Sequence, residues 1–362
     1  MVNSILHSAN RLGLDYTAEA ANFRQYDFPI IDIHTHLSGK EAVQIYQRAA
    51  NLYGVGLTYS MTPLDKMDAV QSVLGDAVRF IAIPNYGDLT STKQLGEQYA
   101  QQIEKQYKEG VRIAKFWSAP RRYDLEEKKG LPGGAMGLST PHILESMAAA
   151  AELGMAIMVH IGDPDTWFAT KYIDAQRYGT KREQYEPLEV ALERFDTPFI
   201  AAHMGGWPED LDFLSSLLAQ HSHLYLDTSA TKWMVRELSK HPSVELIKFF
   251  KRWNGRLLFG SDIVTSNNHL NPATDEKPNA GPAHSRQEAF DLYASRYWAL
   301  RTLLETNSVG ESPIADPDLA MTNPKQYDSM SAPLLNGIEL PALLLKTLMH
   351  DAAKNLLESL EG

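Results

Sequence analysis

The chain has 362 residues, 44% hydrophobic and 22% charged, enough to bury a large core and too ordinary a mix for a disordered or fibrous protein. Its 45 acidic residues outweigh 34 basic ones, and the net charge of -11 argues against a protein whose main task is gripping nucleic acid or an anionic membrane. It contains no cysteine, which excludes disulfides, thiolate metal ligands and a cysteine nucleophile, so any metal must be held by histidine and carboxylate.

Residues 1–28 read as an N-terminal extension without the apolar stretch of a signal peptide, and no run of 18 apolar residues occurs anywhere. A cytoplasmic protein is the expectation. From residue 29 onward, short apolar runs bounded by Gly, Pro or Asp alternate with helical patterns. These runs are 29–36, 54–61, 79–86, 111–118, 155–162, 198–205, 223–230 and 256–263.

Between them lie amphipathic stretches such as 92–110, with Ser91 and Thr92 as caps and Gly110 as the stop. Another is 140–154, with Thr140 as N-cap, Pro141 at the first helical position and Gly154 past the end. Near-continuous apolar strands alternating with helices imply a parallel sheet covered by helices, and eight such units fit a (β/α)8 TIM barrel.

Long connections follow the fourth (119–138), fifth (163–185) and eighth (264–285) runs, all leaving the C-terminal ends of strands, where barrel enzymes build their sites. The segment 311–362, proline-rich up to Pro333 and then helical, reads as an extension packed on the barrel. The whole of 1–362 is expected to form one barrel domain with these two extensions.

The ends of four strands carry the chemistry. In "IDIHTH", His34 and His36 are two apart, so they point to one side with Cα atoms about 6.6 Å apart. The fifth run ends in His160, the sixth in His203 and the eighth in Asp262. Burying such groups at one end of a barrel is costly without pairing or a metal. The set suits a divalent ion such as Zn2+, bound by imidazole nitrogens and a carboxylate oxygen, with a place left for a water that the metal would acidify.

With "IDIHTH", His160 at a strand end, "AAHMGG" around His203, "FGSDI" around Asp262 and the late "MHDAAKNLLESL", the chain resembles the amidohydrolase superfamily over roughly residues 28–360. The nearest branch is the amidohydrolase-related group. It includes aminocarboxymuconate semialdehyde decarboxylase, resorcylate-type decarboxylases, dicarboxylate lactonases and predicted metal-dependent hydrolases. The resemblance implies one metal held by His34, His36, His160 and Asp262, with His203 acting on water or substrate. It also implies that Asp262 serves as general base and returns the proton to the leaving group.

Lys115 occupies the strand where binuclear relatives carry a carboxylated lysine. The mononuclear branch lacks that bridge, so one metal is expected, with Lys115 binding a substrate carboxylate or phosphate or pairing with a buried acid. Trp117 and Trp207, with Trp167 and Phe168, are candidates for an apolar wall, and Arg121, Arg122, Arg177 and Arg182 for gripping an anion. Asp32 points the same way as His34 but deeper, in a supporting position. His142, His221, His223, His269 and His284 read as structural or exposed.

The primary reading is a metal-dependent hydrolase in which metal-bound hydroxide attacks an amide, lactone or ester carbonyl of a small anionic molecule. A nonoxidative decarboxylase of an aromatic or enol acid would use the same five residues. A barrel that binds metal or ligand without turnover is the alternative outside enzymes. The cofactor is one divalent ion, Zn2+ first, since Mn2+, Co2+ and Fe2+ accept the same ligands. The partner is a small-molecule substrate, with neither nucleic acid nor membrane, and by resemblance a second copy in a homodimer.

Overall fold

The computed structural model of the chain describes residues 6–271 and 282–361. It is an α/β fold of the predicted class, and each of the eight predicted runs overlaps a strand. These are β1 (Ile30–His36), β2 (Val55–Ser60), β3 (Val78–Phe80), β4 (Ile113–Trp117), β5 (Ala156–His160), β6 (Phe199–Ala201), β7 (Leu224–Asp227) and β8 (Leu257–Leu258). After β8 follow β9 (Ile263–Val264) and an antiparallel pair in the tail, β10 (Val309–Glu311) with β11 (Leu334–Asn336). Among the described residues no helix is long and apolar enough to cross a membrane.

The residues group into two compact units. The first comprises the chain up to Arg79, Ser229–Asn254 and Phe259–Asp351. Its parallel sheet has the order β3-β2-β1-β9, with Ile30 beside Val55, and Thr35 and His36 beside Ile263 and Val264. Ile30, Ile31 and Ile33 are all buried, as expected of a strand covered on both faces. The helices Lys40–Leu52 and Arg286–Glu305 pack on each other, and Tyr46 and Tyr297 share a buried hydroxyl–hydroxyl hydrogen bond of 2.8 Å. Ser285 starts the long helix, its side chain accepting the Glu288 N–H. The tail is tied in by buried Arg236, whose guanidinium bonds both Glu237 and Asp316.

The second unit comprises Phe80–Thr228, Gly255–Leu258 and the chain from Ala352. Its five parallel strands run in sequence order, β4-β5-β6-β7-β8. The residues Ala156–Val159 are fully buried. Trp117 pairs with His160 and Val159 with Ala201, which brings the polar ends of β4, β5 and β6 to one level. The C-terminal helix is present as Ala342–Lys346, a π turn at Thr347–Asp351 and Ala352–Ser359, the last packing on β8.

Local chemistry shifts several boundaries. The third run yields only β3 and a parallel bridge from Ala82 to Ala114, because Pro84 has no N–H to extend a ladder. The stretch 92–110 is not one helix: Ser91 caps a short turn with a capping box, and the helix proper starts after Gly96 and ends at Lys108. Thr140 precedes the helix Pro141–Glu152 as predicted, but its hydroxyl donates to the Gly137 carbonyl instead of capping. The long connection after β4 contains a helix, Arg122–Lys129, and the one after β5 three short helical turns. Residues 272–281 of the third lie outside the described residues.

Candidate active site

In the first unit the end of β1 meets the turn after β8. The chain passes through Asp262 with φ of 60°, a left-handed conformation that costs a residue with a Cβ about 1–2 kcal/mol. That turn is held from below by Asp32, which is fully buried. Its carboxylate accepts the His34 N–H at 3.1 Å, the Ser261 N–H at 3.1 Å, the Ser261 hydroxyl at 2.6 Å and the Tyr297 hydroxyl at 2.8 Å. Burial pushes the Asp32 pKa up to about 7, and these donors hold it from rising further. Asp262 in turn donates its backbone N–H to the His34 carbonyl at 2.8 Å. Asp32 thus fixes β1 and the Asp262 turn to each other, the supporting role anticipated for it.

Three side chains converge above this support. His34 Nε2 lies 3.5 Å and His36 Nε2 3.3 Å from Asp262 Oδ1, and one ligand atom from each of the three lies within 4.8 Å of the other two. His34 is 1% exposed, and its Nδ1 is 3.1 Å from the Ser229 hydroxyl. With Nδ1–H donated to Ser229, Nε2 keeps its lone pair for the opening, the arrangement of an imidazole oriented by an outer partner. Two imidazole nitrogens and a carboxylate oxygen at this spacing fit a divalent cation.

The same unit places a cation nearby, Arg296. Thr231 donates its hydroxyl to the Ser261 carbonyl at 3.0 Å, while the next residue, Lys232, has its charge partners in the tail. Burial, and then the charge of Arg296, pull the Lys232 ammonium below its ordinary value, against Asp316 and Asp318. Arg296 lies on the long helix next to Tyr297. Burial draws its guanidinium down to about 10, opposed by Tyr16 and Asp262, so it stays charged at neutral pH.

In the second unit His160 and His203 form a pair. His203 Nε2 is 3.3 Å from His160 Nδ1, with the rings edge to face and their centroids 4.5 Å apart. The other nitrogen of His160, Nε2, lies 3.2 Å from Asp163 Oδ1. Burial works against the ionised form of Asp163. Hydrogen bonds from His160 and Tyr172, with the charges of His160 and Lys181, outweigh it and hold the pKa below the ordinary carboxylate value.

His203 owes its direction to an unusual backbone. His203 and Met204 have φ of 59° and 50°, followed by Gly205 at 65° and Gly206 at 81°, four left-handed residues in succession. Gly206 has no alternative, since a Cβ there would sit 2.9 Å from both Cα and N of Gly162. Buried Asp227, at the end of β7, accepts the His203 N–H at 2.9 Å. Of five non-glycine residues with positive φ among those described, His203, Met204, Ala230 and Asp262 all follow strand ends, which places stored strain there in each unit.

Trp117 stands edge-on to His160 at 6.4 Å, and Lys115, buried two residues earlier on β4, faces the same side of the sheet. Trp207 instead stacks on Tyr185 at 5.6 Å and packs against Phe213. Of the arginines, Arg177 binds Asp124 and Glu127, Arg122 binds Gln184 and Tyr123, and Arg182 lies over Phe213. Their charges and faces are engaged locally. His34, His36 and Asp262 therefore meet in the first unit, and His160 and His203 in the second.

Sequence reasoning passed over Asp163, Asp227, Ser229, Ser261 and Arg296. Asp227 carried a usable signal, an acid closing an apolar run as Asp262 does, and so did Asp163, three residues beyond a strand-end histidine. The others join the site only through folding.

The family model described as Amidohydrolase matches residues 93–300. Among solved structures, the chain is similar to an uncharacterised TIM-barrel protein from Bordetella bronchiseptica, at 14% identity over 92% of this chain and 100% of that one, with a TM-score of 0.47. It is also similar to a dihydroxybenzoic acid decarboxylase from Polaromonas with bound manganese and 2-nitroresorcinol, at 10% identity over 91% and 97%, with a TM-score of 0.47. A third is an amidohydrolase from Burkholderia multivorans, at 11% identity over 91% and 99%, with a TM-score of 0.46. No curated protein matches the chain.

Proposed function

The chain belongs to the amidohydrolase family, whose model spans more than half of it, and from that premise we propose a metal-dependent hydrolase acting on the amide, lactone or ester carbonyl of a small anionic molecule. The observation that carries this reading is the convergence of His34 Nε2 and His36 Nε2, neighbours on one strand, with Asp262 Oδ1 from more than 200 residues on, held by strained or buried backbone. These three residues would hold the metal. When bound, a divalent ion supplies Lewis-acid polarisation of the carbonyl and acidifies a water.

The chain's own groups handle the protons. The Asp262 carboxylate, through the oxygen not turned to the two imidazoles, accepts a proton from the attacking water as the water's oxygen bonds to the carbonyl carbon. It then returns that proton to the departing nitrogen or oxygen as the scissile bond breaks, so one water is consumed. His203 is the acid–base group of the second cluster, with His160 as its partner. His160, anticipated as a further ligand, has both ring nitrogens within hydrogen-bond distance of neighbours, Asp163 and His203. Arg296, whose charge is felt at Asp262, supplies the positive field that favours an anionic substrate.

The test is metal analysis of the purified protein followed by an assay over lactones, acylated amines and aromatic acids. Bound metal that falls away in the His34→Ala/His36→Ala variant, with release of acid or amine, is the expected result. Release of CO2 from an aromatic acid would replace hydrolysis by decarboxylation, and metal retained by the variant would overturn the ligand assignment.

A further inference from the structure

We infer that Asp163 is a positioning residue that selects the ring tautomer of His160 and so decides which nitrogen meets His203. This rests on the reading of His203 as an acid–base group.

The Asp163 side chain is 5% exposed and both its oxygens are committed. Oδ2 accepts the Tyr172 hydroxyl at 2.7 Å, and Oδ1 faces His160 Nε2 at 3.2 Å. Its backbone is pinned as well, because the Lys181 ammonium donates to the Asp163 carbonyl at 2.6 Å and to Asp165 Oδ1 at 3.0 Å. Tyr172 is itself wedged between Phe168 and Tyr178, with ring centroids at 5.4 and 4.9 Å. The connection after β5 is thereby folded into a bracket around one carboxylate.

A carboxylate that already accepts from a tyrosine beside an ammonium acts as an acceptor at its other oxygen also. His160 Nε2 must then carry a hydrogen. In the neutral ring Nδ1 is left with the lone pair, and Nδ1 is the atom 3.3 Å from His203 Nε2. The contact is satisfied by a single hydrogen on the line between the two rings, given by His203 when His160 is neutral. With the opposite tautomer of His160, Nδ1–H would have to face a His203 nitrogen stripped of its own hydrogen, which reverses the roles of the pair. The carboxylate thus acts at a distance, through His160, on which nitrogen of His203 is free for substrate.

The experiment is long-range 1H–15N NMR of the histidine rings in the protein as isolated, with His160 assigned by loss of its signals in His160→Gln. We expect His160 to be protonated at Nε2 in the native chain and to change to Nδ1 in Asp163→Asn, whose amide presents a donor. On any substrate the native chain turns over, Asp163→Asn should lower kcat about 10–100-fold with KM little changed, the usual scale for outer partners of a functional imidazole. A native His160 protonated at Nδ1 overturns the inference even if the variant fails to fold. An unchanged tautomer in Asp163→Asn also overturns it. Full turnover by His203→Gln would instead sink the acid–base reading of His203, a separate failure that leaves the tautomer result standing.

Discussion

Asp227 closes β7 and accepts the backbone N–H of His203 at 2.9 Å, so a carboxylate on one strand holds the left-handed turn that ends its neighbour. The turn needs such a holder because the local chain alone would relax to right-handed conformations. Asp227→Ala removes the acceptor and leaves a buried N–H unpaired. We expect a loss of about 1–3 kcal/mol in urea unfolding together with displaced His203 function. Asp227→Asn, which keeps an acceptor oxygen, should lose much less. Equal losses in the two variants would refute this account.

Gly206 tests the same turn from the other side. Gly206→Ala combines φ of 81° with a backbone contact at 2.9 Å, and should cost more than about 2 kcal/mol. Gly130→Ala is the control, since φ is 67° and ψ 26° there, the same left-handed region, but nothing lies within 4 Å of the added Cβ, and only the conformational penalty of about 1 kcal/mol applies. Thermal melting of the two variants side by side decides whether close approach or backbone sign dominates.

Arg296 should act on substrate charge. Arg296→Met is expected to raise KM for an anionic substrate about tenfold or more, the worth of one charge-assisted contact, and to leave a neutral analogue nearly unaffected. Inhibition by simple carboxylates gives the same comparison without a known substrate. Parallel loss for charged and neutral compounds would mean that the guanidinium serves only the fold.

A pH dependence of stability follows from His269. Burial, then the charges of Arg296 and His284, hold its imidazole below the ordinary value, and its Nδ1 is 2.9 Å from the Tyr293 hydroxyl. A folded-state pKa lower than the unfolded one means that protonation favours unfolding. The contribution is fully present above about 6.5 and is lost as pH falls through the folded value. His269→Gln should therefore flatten the acid side of a plot of urea midpoint against pH, while the native chain declines there. Parallel profiles would assign the decline to other groups.

Much was legible in the linear chain because it depends on period and on residue type. Parallel strands are buried on both faces, so β5 writes itself as an apolar run up to His160, and alternation within "IDIHTH" by itself puts His34 and His36 on one side. The absence of cysteine restricted the metal-binding chemistry to histidine and carboxylate.

Tertiary structure alone decided how those groups are held. The left-handed path at His203 and Asp262 runs against the local preference of both residues, so no propensity announces it, and it persists because Asp227 and Asp32 hold it through hydrogen bonds from other strands. Asp32 bonds Tyr297 at a separation of 265 residues and Ser229 meets His34 across 195. Pairings at such range are fixed by packing, to which a local pattern of residues carries no reference.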